Sequence, residues 1–253
     1  MKWNGNTILV TGGSTGIGLA LAVRFLARGN RVVVCGRRQD KLDEAKAAHP
    51  DLITVRCDVM RPEERAQLLA YMKETYPDWN VLVNNAGIQQ HVNVRRANEP
   101  WEHYEREIAI NFDAPVHLTL ASLPHLLEQP RAAIINVTSG LALAPAAWAP
   151  VYSATKAALR SFTESLRLQL EGTPVEVIEI APPAVNTDLG GPGLHTFGVP
   201  LDAFADGVFE KLEAGASEIG YGDSERRLAL VPQELRQAAK QMWSGFRSRN
   251  PNF

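Results

Sequence analysis

Tyr152 and Lys156 stand four residues apart, and Ser139 lies thirteen positions before the tyrosine. On a helix such a pair shares one face, about a turn apart. A free phenol has a pKa near ~10 and exchanges protons poorly at neutral pH, but an ammonium within reach favours the phenolate and lowers such a pKa by roughly 1–3 units. Two unit charges ~4 Å apart interact by about 4 kcal/mol at an effective dielectric of about 20, roughly three pKa units before desolvation is subtracted. The pair therefore reads as a general acid/base tuned toward working pH. Alone, the same two residues also fit a half-buried tyrosine beside a solvated lysine, so the surrounding elements decide.

Those elements can be read in turn. Ile134-Ile135 is a buried-strand signal that ends in Asn136-Val137-Thr138-Ser139. The uncharged stretch Leu141–Val151, broken by Pro145 and Pro150, leads into Tyr152-Ser153-Ala154-Thr155-Lys156, which opens a long helical pattern. At the start of the chain, Asn6–Val10 is apolar and β-branched. It runs into Thr11-Gly12-Gly13-Ser14-Thr15-Gly16-Ile17-Gly18 and then a helical repeat of Ile17, Leu21 and Phe25 stopped by Gly29. Strand, glycine-rich turn and helix form the first half of a nucleotide-binding βαβ unit, in which the backbone approaches a pyrophosphate at the helix N-terminus. Arg31–Cys35 is the second strand. Its end is where an acid would hold the ribose hydroxyls of NAD; here Gly36 takes that place and Arg37 and Arg38 follow. A guanidinium fork suits a 2′-phosphate, so NADP(H) is expected in preference to NAD(H), the alternative being two solvated arginines that begin a helix. Leu52–Arg56 is a third strand followed by Cys57-Asp58-Val59. Arg61 to Tyr76 is an amphipathic helix, and Val81–Val83 is a fourth strand leading into Asn84-Asn85-Ala86-Gly87.

The T-G-x-x-x-G-x-G turn at Thr11–Gly18, Asn84-Asn85-Ala86-Gly87, Asn111 within Ile110-Asn111-Phe112, Ser139, and Tyr152-x-x-x-Lys156 occur in this order. Together they resemble the short-chain dehydrogenase/reductases of the compact branch, over residues 7 to about 221. The resemblance implies that Tyr152 is the general acid/base and that Lys156 binds the nicotinamide ribose and lowers the Tyr152 pKa. It further implies that Ser139 positions the substrate oxygen and that Asn111 kinks its helix and holds a water in the proton relay. It places Gly12, Ser14, Thr15, Gly16, Ile17, Gly18 and Asn85 beside the coenzyme, the Asp58 side chain and Val59 backbone near the adenine, and Val185 and Thr187 at the nicotinamide amide. One position departs: in Pro182-Pro183 the second proline stands where glycine is usual, removing a backbone donor and fixing φ. The stretch Gly190-Gly191-Pro192-Gly193-Leu194-His195 reads as a loop, which the resemblance makes a substrate lid. Leu141, Leu143, Trp148, Pro183 and the 188–200 loop point to a mainly apolar pocket.

Alternating strands and helices, seven to eight strands in all, predict an α/β chain with a single doubly wound parallel sheet, Rossmann-like, with helices on both faces. Residues 1–222 would form that domain. Residues 223–253, locally positive by three, would form a helical extension with an apolar stripe of Leu235, Ala239, Met242, Trp243 and Phe246. It would pack on the same domain or on a partner subunit. Net charge is −2 over 253 residues, which gives no basic field for nucleic acid. No apolar run reaches membrane-span length, and no signal-peptide pattern is present. Two cysteines and six histidines show no metal-ligand spacing, so no metal is expected, and a reducing cytoplasm fits. His91, in the polar loop after Gly87, is expected at the surface. The expected activity is reversible hydride transfer between NADP(H) and a small-molecule carbonyl or alcohol, by a homodimer or homotetramer paired through the long helices near 101–127 and 152–171. A catalytically silent dinucleotide-binding sensor of the same fold is the alternative. A sugar-nucleotide epimerase of the extended branch fits the chain length and turn spacing less well.

Overall fold

The computed structural model describes residues 1–253. Seven strands form one sheet: β1 (Thr7–Thr11), β2 (Arg31–Gly36), β3 (Ile53–Arg56), β4 (Trp79–Asn84), β5 (Ala132–Val137), β6 (Val175–Ala181) and β7 (Glu218–Gly220). Their spatial order is β3-β2-β1-β4-β5-β6-β7, and every neighbouring pair is parallel. β1, β4 and β5 are buried along their whole length. A parallel strand covered on both faces has no solvent side to alternate with, which is why these segments read as unbroken apolar runs.

On one face lie α1 (Gly16–Ala27), α2 (Gln39–Ala48) and, reached later in the chain, α7 (Leu201–Glu213), which bury Leu21, Phe25, Leu42, Phe204 and Phe209 against the sheet. The other face carries α3 (Pro62–Thr75), the long helix Trp101–Leu127 and α6 (Pro150–Gln169), with Leu68, Met72, Leu118, Leu126 and Leu166 in its core. The doubly wound sheet with helices on both faces is therefore the observed architecture, with seven strands. The strand order reverses between β1 and β4, and in such sheets the crevice beyond the strand ends at that switch holds ligands. Asn84 at the end of β4 donates to Asn136 of β5 (2.9 Å), which donates to Thr163 of α6 (2.9 Å). This buried polar line ties the switch region to the helix bearing Tyr152.

The 101–127 helix is not uniform. It consists of α4 (Trp101–Ile108), one π-helical turn at Ala109–Asp113, and α5 (Ala114–Leu127). The extra residue of the π turn sits where Asn111 hydrogen-bonds away from its own helix. Its Oδ1 accepts from Ile88 N (2.9 Å), and its Nδ2 donates to Ile88 O (2.9 Å) and Thr155 Oγ1 (3.2 Å). Such turns commonly mark functional positions.

After β7 the chain forms α8 (Asp223–Leu228) and α9 (Pro232–Arg249). Pro232 opens α9, where its missing N–H leaves no bond unmade. The expected apolar stripe is narrower than its pattern: only Phe246 is buried, while Leu235, Ala239, Met242 and Trp243 are half-buried. Phe246 stacks on Trp148 of the same chain at 4.5 Å between ring centroids and 7° between planes. No helix is long and apolar enough to cross a membrane.

Candidate functional site

The glycine turn is shaped for close backbone approach. A Cβ on Gly12 would lie 2.8 Å from the Ala86 Cα, and one on Gly18 would lie 2.4 Å from Gly12 O. Both positions must be bare. Gly12 also has φ 63°, open to glycine without strain. Asn85 clamps the turn from β4: its Nδ2 donates to Thr11 O (2.9 Å) and Gly12 O (3.2 Å), while Thr11 Oγ1 accepts from Asn85 N and Ala86 N. Across the cleft, Thr187 Cγ2 would lie 3.6 Å from a Cβ on Gly16. The turn, the end of β4 and the segment after β6 thus face one crevice. Ser14 is buried, Thr15 and Ile17 are half-buried, and Val185 is fixed beneath by its bridge to Val199.

Beyond β2 and β3 the crevice opens into a depression of about 490 Å³ lined by Arg37, Arg38, Arg56, Asp58, Arg61 and Glu64. Glu64 is already engaged: it accepts from Asp58 N (2.7 Å) and pairs with Arg61 (3.5 Å). Arg38 Nη2 donates to Thr15 Oγ1 (3.3 Å), so a guanidinium reaches the glycine turn from the neighbouring loop. A Cβ on Gly36 would stand 3.1 Å from Ser14 Oγ, so the place of an acid is filled from across the turn. Arg56 and Arg61 were not singled out from the sequence. Their side chains converge here only because β3 lies beside β2, a neighbourhood that local spacing does not report. Asp58 lines the depression, and Val59 is buried, its carbonyl held by Arg65 Nη1 (2.7 Å).

The second wall comes from β5 and α6. Ser139, just past β5, accepts from Leu141 N through its hydroxyl (3.1 Å) and begins a short 3₁₀ turn. α6 starts at Pro150, and its first turns carry Tyr152 and Lys156, 6% and 3% exposed. Ser153 anchors this end by donating to Ala149 O (2.9 Å) and accepting from Ala146 N (3.1 Å). Lys156 Nζ donates to Val137 O (2.8 Å) and lies 5.8 Å from the centroid of the Tyr152 ring. Gly87 fits between the amine and Asn111: a Cβ there would be 3.6 Å from Nζ and 3.3 Å from Asn111 Oδ1. The structure thus gathers Ser139, Tyr152, Lys156 and Asn111 at the same ends of β4 and β5.

The electrostatics differ from the sequence expectation. Burial pushes the Tyr152 hydroxyl up to about 12; Ser139 pulls it down and the nearby Glu107 carboxyl pushes it further up. Burial lowers Lys156 to about 8, with Glu107 acting in the opposite sense. The expected depression of the Tyr152 pKa by Lys156 is therefore not what the protein's own groups produce. Desolvation of the almost wholly buried phenol sets the direction, while the Lys156 amine is tied to the Val137 carbonyl. At neutral pH Tyr152 is a phenol, a proton donor by state. Glu107, one turn before Asn111, is the group that sequence reading missed. Beside Glu102 and Glu105 it looks like another solvated helix acid, yet it is 0% exposed.

Over the mouth, Leu189 and Trp148 pack with Ala146, Ala149 and Tyr152, and Phe246 covers Trp148. Gly190 brings the following loop against Gln89, since a Cβ there would lie 3.2 Å from Gln89 O. Leu141 and Leu143 are half-buried. His91 is exposed, its ring edge-on to Phe246 at 6.1 Å. Cys35 and Cys57 are free and buried.

Comparison with known proteins agrees with this geometry. The short chain dehydrogenase family model matches residues 6–194. The chain is 47% identical over 224 residues to the uncharacterized oxidoreductase DltE of Bacillus subtilis, covering 87% of this chain and 89% of that protein. To the NADP-dependent 3-hydroxy acid dehydrogenase YdfG of Escherichia coli K12 it is 36% identical over 177 residues, 69% of this chain and 71% of the other. A short chain dehydrogenase from Burkholderia cenocepacia, solved in complex with NADP, superimposes with a TM-score of 0.77 at 28% identity over 98% of both chains. A glycine turn at the sheet's switch point, a Tyr–Lys pair on the helix after β5, and these likenesses together make this chain a member of the short-chain dehydrogenase family.

Proposed function

We propose that this chain reversibly reduces a small carbonyl compound to its alcohol with NADP(H). The observation that supports this most is the meeting of Ser139, Tyr152, Lys156 and Asn111 on the wall of the crevice beside the glycine turn. The bare backbone at Gly12 and Gly18 fits a pyrophosphate, and the arginine-lined depression at Arg37, Arg38, Arg56 and Arg61 fits a 2′-phosphate. The nicotinamide ring, when bound, supplies or accepts the hydride. Relatives named or solved with NADP support the same coenzyme.

Tyr152 gives its hydroxyl proton to the substrate oxygen in reduction and takes it back in oxidation. The raised pKa keeps this hydroxyl protonated at neutral pH, and the positive charge of Lys156 lowers the cost of releasing the proton as the phenolate develops. Ser139 Oγ orients the reacting oxygen as a fixed donor. Lys156 offers the two N–H donors not spent on Val137 O, and its charge stabilises the developing phenolate. Asn111 holds Ile88 and Thr155 so that the space left by Gly87 stays open between it and Lys156. Val185 and Thr187 bound the nicotinamide end. Leu141, Trp148 and Leu189 favour a substrate with a small apolar or aromatic group next to its carbonyl.

Exposed Leu120 and Leu127 on α5 and Leu168 on α6 are the surface through which a homodimer or homotetramer would form. Two buried free thiols suit a reducing cytoplasm. The decisive experiment is NADPH consumption with a panel of aldehydes and ketones, run in parallel with NADH. NADPH-dependent turnover is expected; coenzyme binding without turnover on any substrate would overturn the reading.

A further inference from the structure

The Glu107 carboxyl is fully buried on α4, one turn before Asn111. Its Oε1 accepts from Gln90 N (2.9 Å), so Glu107 and Asn111 hold the same strip of chain, Gly87–Gln90, from successive turns. Its Oε2 is buried and has no partner. An orphaned carboxylate oxygen in a protein interior is costly, and protonation turns it from a stranded acceptor into a neutral donor.

We propose that Glu107 is a positioning and proton-holding residue for the Tyr152–Lys156 pair, its Oε2 carrying the proton that restores the Tyr152 hydroxyl after each reduction. This rests on the activity proposed above. In the forward step the Tyr152 O–H bond breaks and that proton forms the product O–H bond. The phenolate is then reprotonated through Lys156. The Glu107 O–H bond breaks as its proton passes through a bridging water to the lysine, and the carboxylate then takes one from solvent. One proton enters from solvent, one leaves in the product, and no electrons move along this path.

The charged and titratable groups facing Glu107 are Lys156 and Tyr152 on α6. On its own helix the next is His103, a turn earlier, whose Nδ1 lies 3.4 Å from Gln90 Nε2. Burial raises Glu107 to about 7, while Gln90 N and Lys156 pull it down. The carboxyl is therefore protonated below that pH and ionised above it. Wild-type kcat for reduction should be greatest below pH 7 and fall as pH rises through it.

Glu107→Gln keeps an oxygen for Gln90 N and nearly the same shape but holds no transferable proton. It should lower kcat by on the order of 10-fold, within what a positioned proton carrier contributes. It should also flatten the pH profile near 7 and leave NADPH affinity unchanged. Glu107→Asp, which keeps a titratable group, should recover part of the rate and of the limb. A Glu107→Gln enzyme with wild-type kcat and profile overturns the proposal; so does a uniform loss with the profile intact, which marks a structural role. A second readout needs no turnover: ultraviolet titration of the Tyr152 phenol, assigned by difference against Tyr152→Phe. Its midpoint should fall in Glu107→Gln, because a negative neighbour has been removed; an unmoved midpoint overturns the coupling. Wild-type protein inert to every carbonyl would instead defeat the functional reading, and the phenol titration would then decide on Glu107 by itself.

Discussion

Trp148, in the segment that leads into α6, and Phe246, near the end of α9, lie face to face with 4.5 Å between their ring centroids. Phe253 meets Phe246 edge-on at 4.9 Å, and Trp243 lies nearly parallel to it at 5.8 Å. The C-terminal helix is thus pinned to the mouth of the crevice by one aromatic group. Phe246→Ala should destabilise the attachment of α9 by about 3–5 kcal/mol, the range for truncating a large buried aromatic. Hydrogen exchange should show α9 amides opening faster while β1 and β4 stay protected. Substrate KM should rise with little change in NADPH affinity. Wild-type exchange in α9 would remove the anchor role.

Replacing Tyr152 by Phe deletes one oxygen from a buried ring and little else. Turnover should drop below ~10⁻³ of wild type, in keeping with the loss of a general acid. NADPH binding, followed by fluorescence, should stay within about twofold. Near-normal turnover would exclude Tyr152 as the proton donor.

Arg37 and Arg38 are expected to recognise the 2′-phosphate. A charge-assisted hydrogen bond contributes about 1.5–3 kcal/mol, so Arg38→Ala should weaken NADPH by roughly 10- to 150-fold. It should also free Thr15, its partner in this structure. NADH affinity should hardly change. Equal losses for both coenzymes would mean that the arginine shapes the turn without reading the phosphate.

Lys156 offers a test in which activity and stability part. Its pKa is lowered to about 8 from 10.5 chiefly by burial, so the folded state disfavours the charged form. That penalty is complete below pH 8 and vanishes as pH rises through 10.5. Lys156→Met should therefore unfold at higher denaturant concentration at pH 7, by on the order of 1–3 kcal/mol, while losing turnover. The gain should shrink toward pH 10. Lower stability at pH 7 would show that the Val137 bond outweighs desolvation.

The strands were legible because buried parallel strands leave unbroken apolar runs, and Ile134-Ile135 or Arg31–Cys35 need no knowledge of their neighbours. The glycine turn and the Tyr152–Lys156 pair were legible because their chemistry is set by spacing within one or two turns of chain. What local pattern could not supply was the medium. An i, i+4 spacing says that a cation stands near a phenol, but not that both are dry, and dryness decided the direction of the Tyr152 shift. Glu107 failed to stand out for the same reason, since nothing in its flanking residues distinguishes a solvated acid from one sealed beneath Gln90. Trp148 and Phe246 are separated by most of a hundred residues, and neither predicts the other.

The π turn at Ala109–Asp113 means that the two halves of one rod answer to different neighbours: α4 toward Gln90 and α6, α5 toward β4 and α3. Shortening the chain there by a single residue would let the rod heal into uniform α-helix, and one half would have to swivel by about 100°. Either the carboxyl before the bulge or the Leu118 side of the rod would then face the wrong way. The spacing of this segment is thus an alignment key, far less tolerant of deletion than of substitution.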